Sequence, residues 1–208
     1  MKSIEFERRF RLSQHGTFQD TLLSSLQSQL HDHPLIGPNI FPILDICLSI
    51  DYNHIGMSSS AYMNHPLRVA LLAINEVPAP SFNLLATSLL HNIKELSVDT
   101  FHNLVGIPDP VLNAISLLTV DRNDLTSAYK DHYYSQLATI PFVAQVKILD
   151  KLDNLFLLCL NPSAKVRADY LCEIENYLYP MISQFLPHLY DYFVELVADA
   201  HSLGHILI

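Results

Sequence analysis

The stretch Phe82-Asn83-Leu84-Leu85-Ala86-Thr87-Ser88-Leu89-Leu90-His91-Asn92-Ile93-Lys94-Glu95-Leu96 carries apolar side chains at positions 82, 85, 86, 89, 90, 93 and 96. That three- and four-residue spacing is one face of a helix. The same spacing runs through nearly every other segment and sustained alternation of period two is scarce, so the expected fold class is all-α, a helical bundle of about nine helices. The candidate helices are 18–30, 42–51, 66–75, 82–96, 110–118, 125–139, 141–160, 163–179 and 181–201. Pro42, Pro66, Pro110 and Pro141 suit first-turn positions, where a missing N–H costs nothing, and Ser81, Asp124 and Ser163 suit N-caps. The connectors are short, as in Val77-Pro78-Ala79-Pro80.

The chain has 208 residues, 50% of them apolar and 16% charged, which fits one domain with a large core and argues against disorder. Within it, 1–38 reads as an N-terminal extension broken at 31–38, 43–160 as the functional core, and 161–208 as C-terminal helices packing on that core. With only five glycines and no G-x-G-x-x-G or Walker-type sequence, a Rossmann or P-loop nucleotide site is excluded. A net charge of −9 repels nucleic acid, so none is expected as a partner. The strongest apolar runs, 69–74 and 155–160, are far short of a membrane span, which needs about 20 residues. The charged start of the chain lacks the apolar stretch of a secretory signal. Cys47, Cys159 and Cys172 are odd in number, lack C-x-x-C spacing and lie among apolar neighbours. Buried reduced thiols and a cytoplasmic location are therefore expected.

In such a chain the informative residues are polar ones standing where the pattern asks for apolar ones, because burying them requires a partner or a metal. Three places qualify. His65 precedes an apolar helix face in Tyr62-Met63-Asn64-His65-Pro66; a histidine bonded to its own helix would read the same way. At the end of the opening stretch, helical spacing puts His91 and Glu95 on one face with Asn92 beside Glu95. The alternative there is a helix C-terminus turning to solvent, with Lys94 favourable against the dipole. In Lys147-Ile148-Leu149-Asp150-Lys151-Leu152-Asp153-Asn154, the residues Lys147, Asp150, Lys151 and Asn154 form a polar stripe that a solvated amphipathic face would also produce. Taken as an ordered set, His65, His91, Asn92 and Asp150 offer nitrogen and oxygen donors without thiolate, a set suited to Mn2+, Fe, Mg2+ or Zn2+.

These pieces resemble the HD-domain metal-dependent phosphohydrolases, and most closely the guanosine-polyphosphate (ppGpp) pyrophosphohydrolase branch that includes the hydrolase half of the RelA/SpoT proteins. The family's Tyr-x-x-His-Pro-x-x-Val-Ala appears as Tyr62 to Ala70, its Leu-Leu-His-Asp-x-x-Glu-Asp as Leu89 to Leu96, and its Lys-x-x-Asp-[Arg/Lys]-x-x-Asn as Lys147 to Asn154. Leu118-Thr119-Val120-Asp121 matches a weaker motif between them. The resemblance spans 43–160 and implies an HD-type helical domain. It implies His65, His91, Asp150 and Asn92 as metal ligands, and Glu95 with Asn92 as catalytic residues. Tyr62, Lys147, Lys151 and Asn154 would bind substrate. It also implies a divalent ion, Mn2+ ahead of Fe, Mg2+ or Zn2+, and as partner a nucleotide or other small phosphate ester. In that mechanism the ion lowers the pKa of bound water while Glu95 orients or deprotonates the nucleophile.

Three departures bear on activity. Asn92 stands where the family has its ligand aspartate, Leu96 replaces a second catalytic acid, and Gly56-Met57-Ser58-Ser59-Ser60-Ala61 replaces a basic loop. Two functional readings follow: an active phosphohydrolase, or a catalytically degenerate domain of the same fold that serves as a ligand-binding or protein-interaction module, with or without its metal. A plain helical scaffold is the third. Beyond residue 160 the tyrosines and phenylalanines, Tyr170 among them, read as core or interface, and the apolar tail 203–208 suits packing on the body or on a second subunit in a homodimer.

Overall fold

The computed structural model describes residues 2–33, 37–55, 57–124 and 126–206. Among these every regular element is helical and there is no strand. In chain order the α-helices are α1 (Ile4–Ser13), α2 (Asp20–His31), α3 (Gly37–Ser49), α4 (Ser59–Tyr62), α5 (Asn64–Glu76), α6 (Phe82–Leu90), α7 (Ile93–Leu96), α8 (Val98–His102), α9 (Asp109–Leu118), α10 (Ser127–Leu137), α11 (Pro141–Leu157), α12 (Ala164–Glu173), α13 (Tyr179–Phe185) and α14 (Tyr190–Leu203). No helix of the described residues is long and apolar enough to cross a membrane.

The chain divides into two compact units, one of residues 16–147 and one of residues 1–15 with 148–208; the division falls inside α11. In the first unit α5 packs on α6, α6 on α3 and α9, and α2 on α5. Their shared interior is built from Leu26, Leu44, Leu67, Leu85, Leu89 and Ile115, all fully buried. At about 1.5–3 kcal/mol for each large aliphatic side chain removed from water, this interior is what lets α6 be apolar almost all round. Asn64 ties the entry of α2 to the first turn of α5: its Nδ2 donates to the Thr17 carbonyl and its Oδ1 accepts from the Gln19 N–H, at 2.6 and 2.9 Å. Gly37 at the start of α3 lies where a Cβ would stand 2.3 Å from the Leu30 carbonyl oxygen, a separation no side chain tolerates.

Punctuation in the sequence marks most helix starts. Ser81 and Ser163 cap α6 and α12 through their hydroxyls, and Pro110 and Pro141 occupy first-turn positions. Two expectations fail. The cap of α10 is Thr126, which accepts from the Tyr129 N–H, while the Asp124 carboxylate accepts from Thr126 and orders the turn before it. Pro42 lies inside α3, which begins five residues earlier. The expected break of 31–38, the start of the expected helix 125–139 and the end of the apolar tail include residues 34–36, 125 and 207–208, which lie outside the described residues. Within the described tail, the Ile206 N–H donates to the Cys159 carbonyl at 3.0 Å.

In the other unit, α1 was not expected from apolar spacing. Ser3 caps it, Glu5 and Glu7 occupy its first turn and Arg11 its last. Arg11 is buried; it donates to the fully buried Asp153 of α11 at 3.0 Å, pairs with Glu7, and lies over the Phe156 ring. Arg8, also buried, pairs with Asp199 of α14. The expected break at Pro180 is absent. The helix widens into a π-helical segment, Ile174–Leu178, where the Tyr179 N–H reaches back five residues to the Ile174 carbonyl. The wider turn accommodates Pro180, which has no N–H to give to a carbonyl four residues back. Of the three cysteines, Cys47 and Cys159 are buried as expected, and burial pushes the Cys47 thiol up to about 12. Cys172 is exposed, on the outer face of α12. Of the C-terminal aromatics expected in a core, Phe193 is fully buried and Tyr170 and Tyr192 are partly exposed.

Candidate metal centre

The polar end of the opening stretch is where helical extrapolation breaks down. The expected helix 82–96 stops at Leu90, turns through His91 and Asn92, and restarts as α7. The turn has a local cause. His91 Nδ1 lies 2.8 Å from the Ser88 carbonyl oxygen, the acceptor that a continuing helix would offer to the Asn92 N–H. His91 and Glu95 therefore do not share a face as a straight helix would require.

Pinning Nδ1 to a carbonyl makes Nδ1 the protonated nitrogen of the neutral ring, and Nε2 then carries the lone pair. That lone pair points at a second imidazole: His91 Nε2 and His65 Nε2 are 3.1 Å apart, with the rings nearly perpendicular. His65 sits at the second residue of α5, and both histidines are buried. Asp150, the oxygen donor of the expected ligand set, is buried in the other unit. Two nitrogens each about 2.1 Å from one ion are separated by about 3.0 Å at a right angle and about 3.4 Å at a tetrahedral angle. The observed 3.1 Å lies between. The same contact is an N–H···N hydrogen bond when His65 Nε2 is protonated. The donor set, the burial and the outer carbonyl that fixes one tautomer all fit a divalent ion.

Around this cluster, the Asn92 amide nitrogen donates to the Tyr62 hydroxyl, leaving Oδ1 as the atom suited to coordination. The Tyr62 ring lies 5.7 Å from His65, 5.0 Å from Tyr52 and 4.9 Å from His54, the last stacked. Desolvation holds the His54 imidazole below its ordinary pKa, helped by the nearby His65 and Arg122. Glu95 is bound at both oxygens: Oε1 accepts from the Val120 N–H at 3.1 Å and Oε2 from Arg122 at 2.8 Å. The two bonds differ in kind, because Val120 offers fixed backbone whereas the Arg122 side chain is 78% exposed. Leu96, where a second acid was sought, gives its carbonyl to the Asn53 N–H.

The serine loop has structural work. Ser58 caps α4, and the Ser59 hydroxyl donates to the Ile50 carbonyl while accepting from the Tyr52 N–H. Gly56 lies outside the described residues.

On α11, Lys147 is buried with its ammonium 5.7 Å from the centre of the Tyr133 ring. Three residues on, Asp150 Oδ1 accepts from Asn154 Nδ2 at 2.7 Å. Lys151 turns to other partners: its Nζ is 2.6 Å from Glu173 and 4.1 Å above the Tyr170 ring. Burial, with the Asp150, Glu173 and Asp153 carboxylates adding to it, holds the Tyr170 phenol well above its ordinary pKa, so it stays protonated.

The residues missed at the sequence level are Ser88, Val120 and Arg122, and Tyr170. Ser88 and Val120 act through backbone groups, which leave no trace in residue type. Arg122 follows the weak Leu-Thr-x-Asp match and had that cue. Tyr170 is reached only across the fold. In comparisons with known proteins, no family model and no curated protein matches this chain.

Proposed function

We propose that the chain is a metal-dependent phosphohydrolase of the HD type, acting on a nucleotide or other small phosphate ester. The observation that carries this reading is the buried pair of His65 and His91, whose Nε2 atoms face each other at 3.1 Å, with the His91 tautomer fixed by the Ser88 carbonyl. Two buried imidazole nitrogens at this distance are spaced as two ligands of one divalent ion would be. His65, His91 and Asp150 would hold a divalent ion, with Asn92 Oδ1 as a further donor, and Mn2+ is the first candidate. When bound, the ion supplies Lewis acidity toward a phosphoryl oxygen and a nucleophile active at neutral pH.

The chain's own residues then divide the remaining tasks. Glu95 keeps its carboxylate in place through Val120 and exchanges the exposed Arg122 for the attacking water, which it orients and deprotonates; an exposed ion pair is worth about 0–1 kcal/mol, so the exchange is cheap. Lys147, buried on the helix that carries Asp150, is the cation for a phosphate oxygen. Tyr62 faces the substrate beside Asn92. Lys151, held by Glu173, contributes less than its motif position implies.

A second reading, a domain of the same fold that binds a ligand without turnover, is favoured by one specific observation: both oxygens of Glu95 are engaged and Leu96 offers no substitute acid. The two part in a screen of phosphorylated metabolites and nucleotides with added Mn2+. Release of phosphate or pyrophosphate that disappears in His65→Ala supports the hydrolase. Stoichiometric Mn2+ binding without release from any compound supports the binding module.

A further inference from the structure

A side-chain amide carries one oxygen and one nitrogen, so turning it over exchanges a metal donor for an N–H group that an ion repels. Asn92 therefore needs a partner that selects one of its two orientations, where an aspartate, with two equivalent oxygens, would not. Tyr62 is that partner. Asn92 Nδ2 donates to the Tyr62 hydroxyl, which turns Oδ1 away from the phenol, and among the described residues no donor is bonded to Oδ1. Asn92 follows His91 directly, the Nε2 atoms of His91 and His65 are 3.1 Å apart, and the His65 ring lies 5.7 Å from that of Tyr62. The two histidines, the phenol and the amide thus close a circuit within one unit of the chain, residues 16–147.

The phenol is itself well fixed. Tyr62 is buried at the end of α4, and its ring packs against those of Tyr52 and His54, at 5.0 and 4.9 Å. Ser58 caps α4, and the Ser59 hydroxyl accepts from the Tyr52 N–H, so the serine loop anchors both tyrosines. We infer that Tyr62 is a positioning residue, which locks the Asn92 amide in the orientation that offers Oδ1 to a divalent ion. This rests on the metal-centre reading above and gives Tyr62 a task beyond facing the substrate. Outer partners that orient metal ligands are worth about ten- to a hundredfold in metal affinity. Asn92 is only half-buried, so water competes for its amide and the effect belongs at the low end.

The test titrates Mn2+ into the chelator-stripped full-length protein and follows free Mn2+ by electron paramagnetic resonance. Tyr62→Phe removes only the hydroxyl and keeps the ring against Tyr52 and His54. It should raise the Kd about tenfold. In the Asn92→Asp background the same change should move the Kd by less than about threefold, because a carboxylate turned over still offers an oxygen. Asn92→Ala, with Tyr62 intact, should weaken binding at least as much as Tyr62→Phe does. A loss of equal size in the Asn92 and Asn92→Asp backgrounds is what a purely structural tyrosine would produce, and it overturns the proposal. Wild-type affinity in Tyr62→Phe, as expected of a tyrosine that only touches substrate, overturns it too, as does wild-type affinity in Asn92→Ala. All three results leave the histidine pair standing as a metal centre. Absence of Mn2+ binding by the wild-type protein overturns both and is recognised without any variant.

Discussion

His91 and Glu95 are four residues apart in one motif, yet the fold holds them in different ways. His91 is buried, with one nitrogen fixed by a backbone carbonyl and the other aimed at His65. Glu95 is held by one fixed partner, the Val120 N–H, and one exposed partner, Arg122. A buried group bonded to a fixed backbone carbonyl is suited to holding something in one place. A carboxylate with one anchored oxygen and one on an exposed cation is suited to changing partners. The turn at His91–Asn92 makes the difference, since in an unbroken helix both side chains would face the same surroundings.

The largest effect that would break this contrast is expected at the buried end. His91→Ala should weaken Mn2+ binding on the order of a hundredfold or more, beyond the range for outer partners, and eliminate turnover; retained stoichiometric binding in a metal titration would remove His91 from the centre. Glu95→Gln comes next. The amide oxygen can still accept from Val120, so the urea midpoint should stay close to wild type, while hydrolysis falls by about two to four orders of magnitude with loss of the base. Unchanged turnover would leave Glu95 with only a structural role. Asn92→Asp restores a negative donor that can accept from Tyr62, and should tighten Mn2+ binding about tenfold or more by calorimetry, given several kcal/mol of attraction between close charges in partly buried surroundings. If affinity does not rise, Asn92 does not face the ion.

The smallest effect concerns His54, on the Tyr62 side of the site. Its folded-state pKa lies below its unfolded value of about 6.5. Between the two values the unfolded chain binds a proton that the folded chain refuses, so stability rises with pH through that window. Stability of the chelator-treated protein should be level above about pH 6.5 and decline as the pH falls below it. His54→Asn should flatten that decline, and a profile that keeps its full slope would mean that His54 has no part in it.

The longer helices were legible where an apolar face announced them, and His65, His91 and Asp150 stood out as polar residues within ordered motifs. What could not be read is governed by backbone groups and by distant charge pairs. The Ser88 carbonyl that breaks the helix at His91 has no signature in residue type. The helix α1 was missed because it is stabilised by Arg11 on Asp153 and Arg8 on Asp199, 142 and about 190 residues away, and not by an apolar face. Its local signals were Ser3, the first-turn Glu5 and Glu7, and the i,i+4 pairs of Glu5 with Arg9 and Glu7 with Arg11. Pro180 misled because a π-helical turn absorbed it.

The central claim is that His65, His91 and Asp150 hold one divalent ion. Its most direct test is a Mn2+ titration of the chelator-stripped protein, read by electron paramagnetic resonance beside a variant carrying alanine at all three positions. The account predicts one tightly bound ion per chain in the wild-type protein and none in the triple variant. Equal binding by the two proteins, or no stoichiometric binding by the wild type, would contradict it.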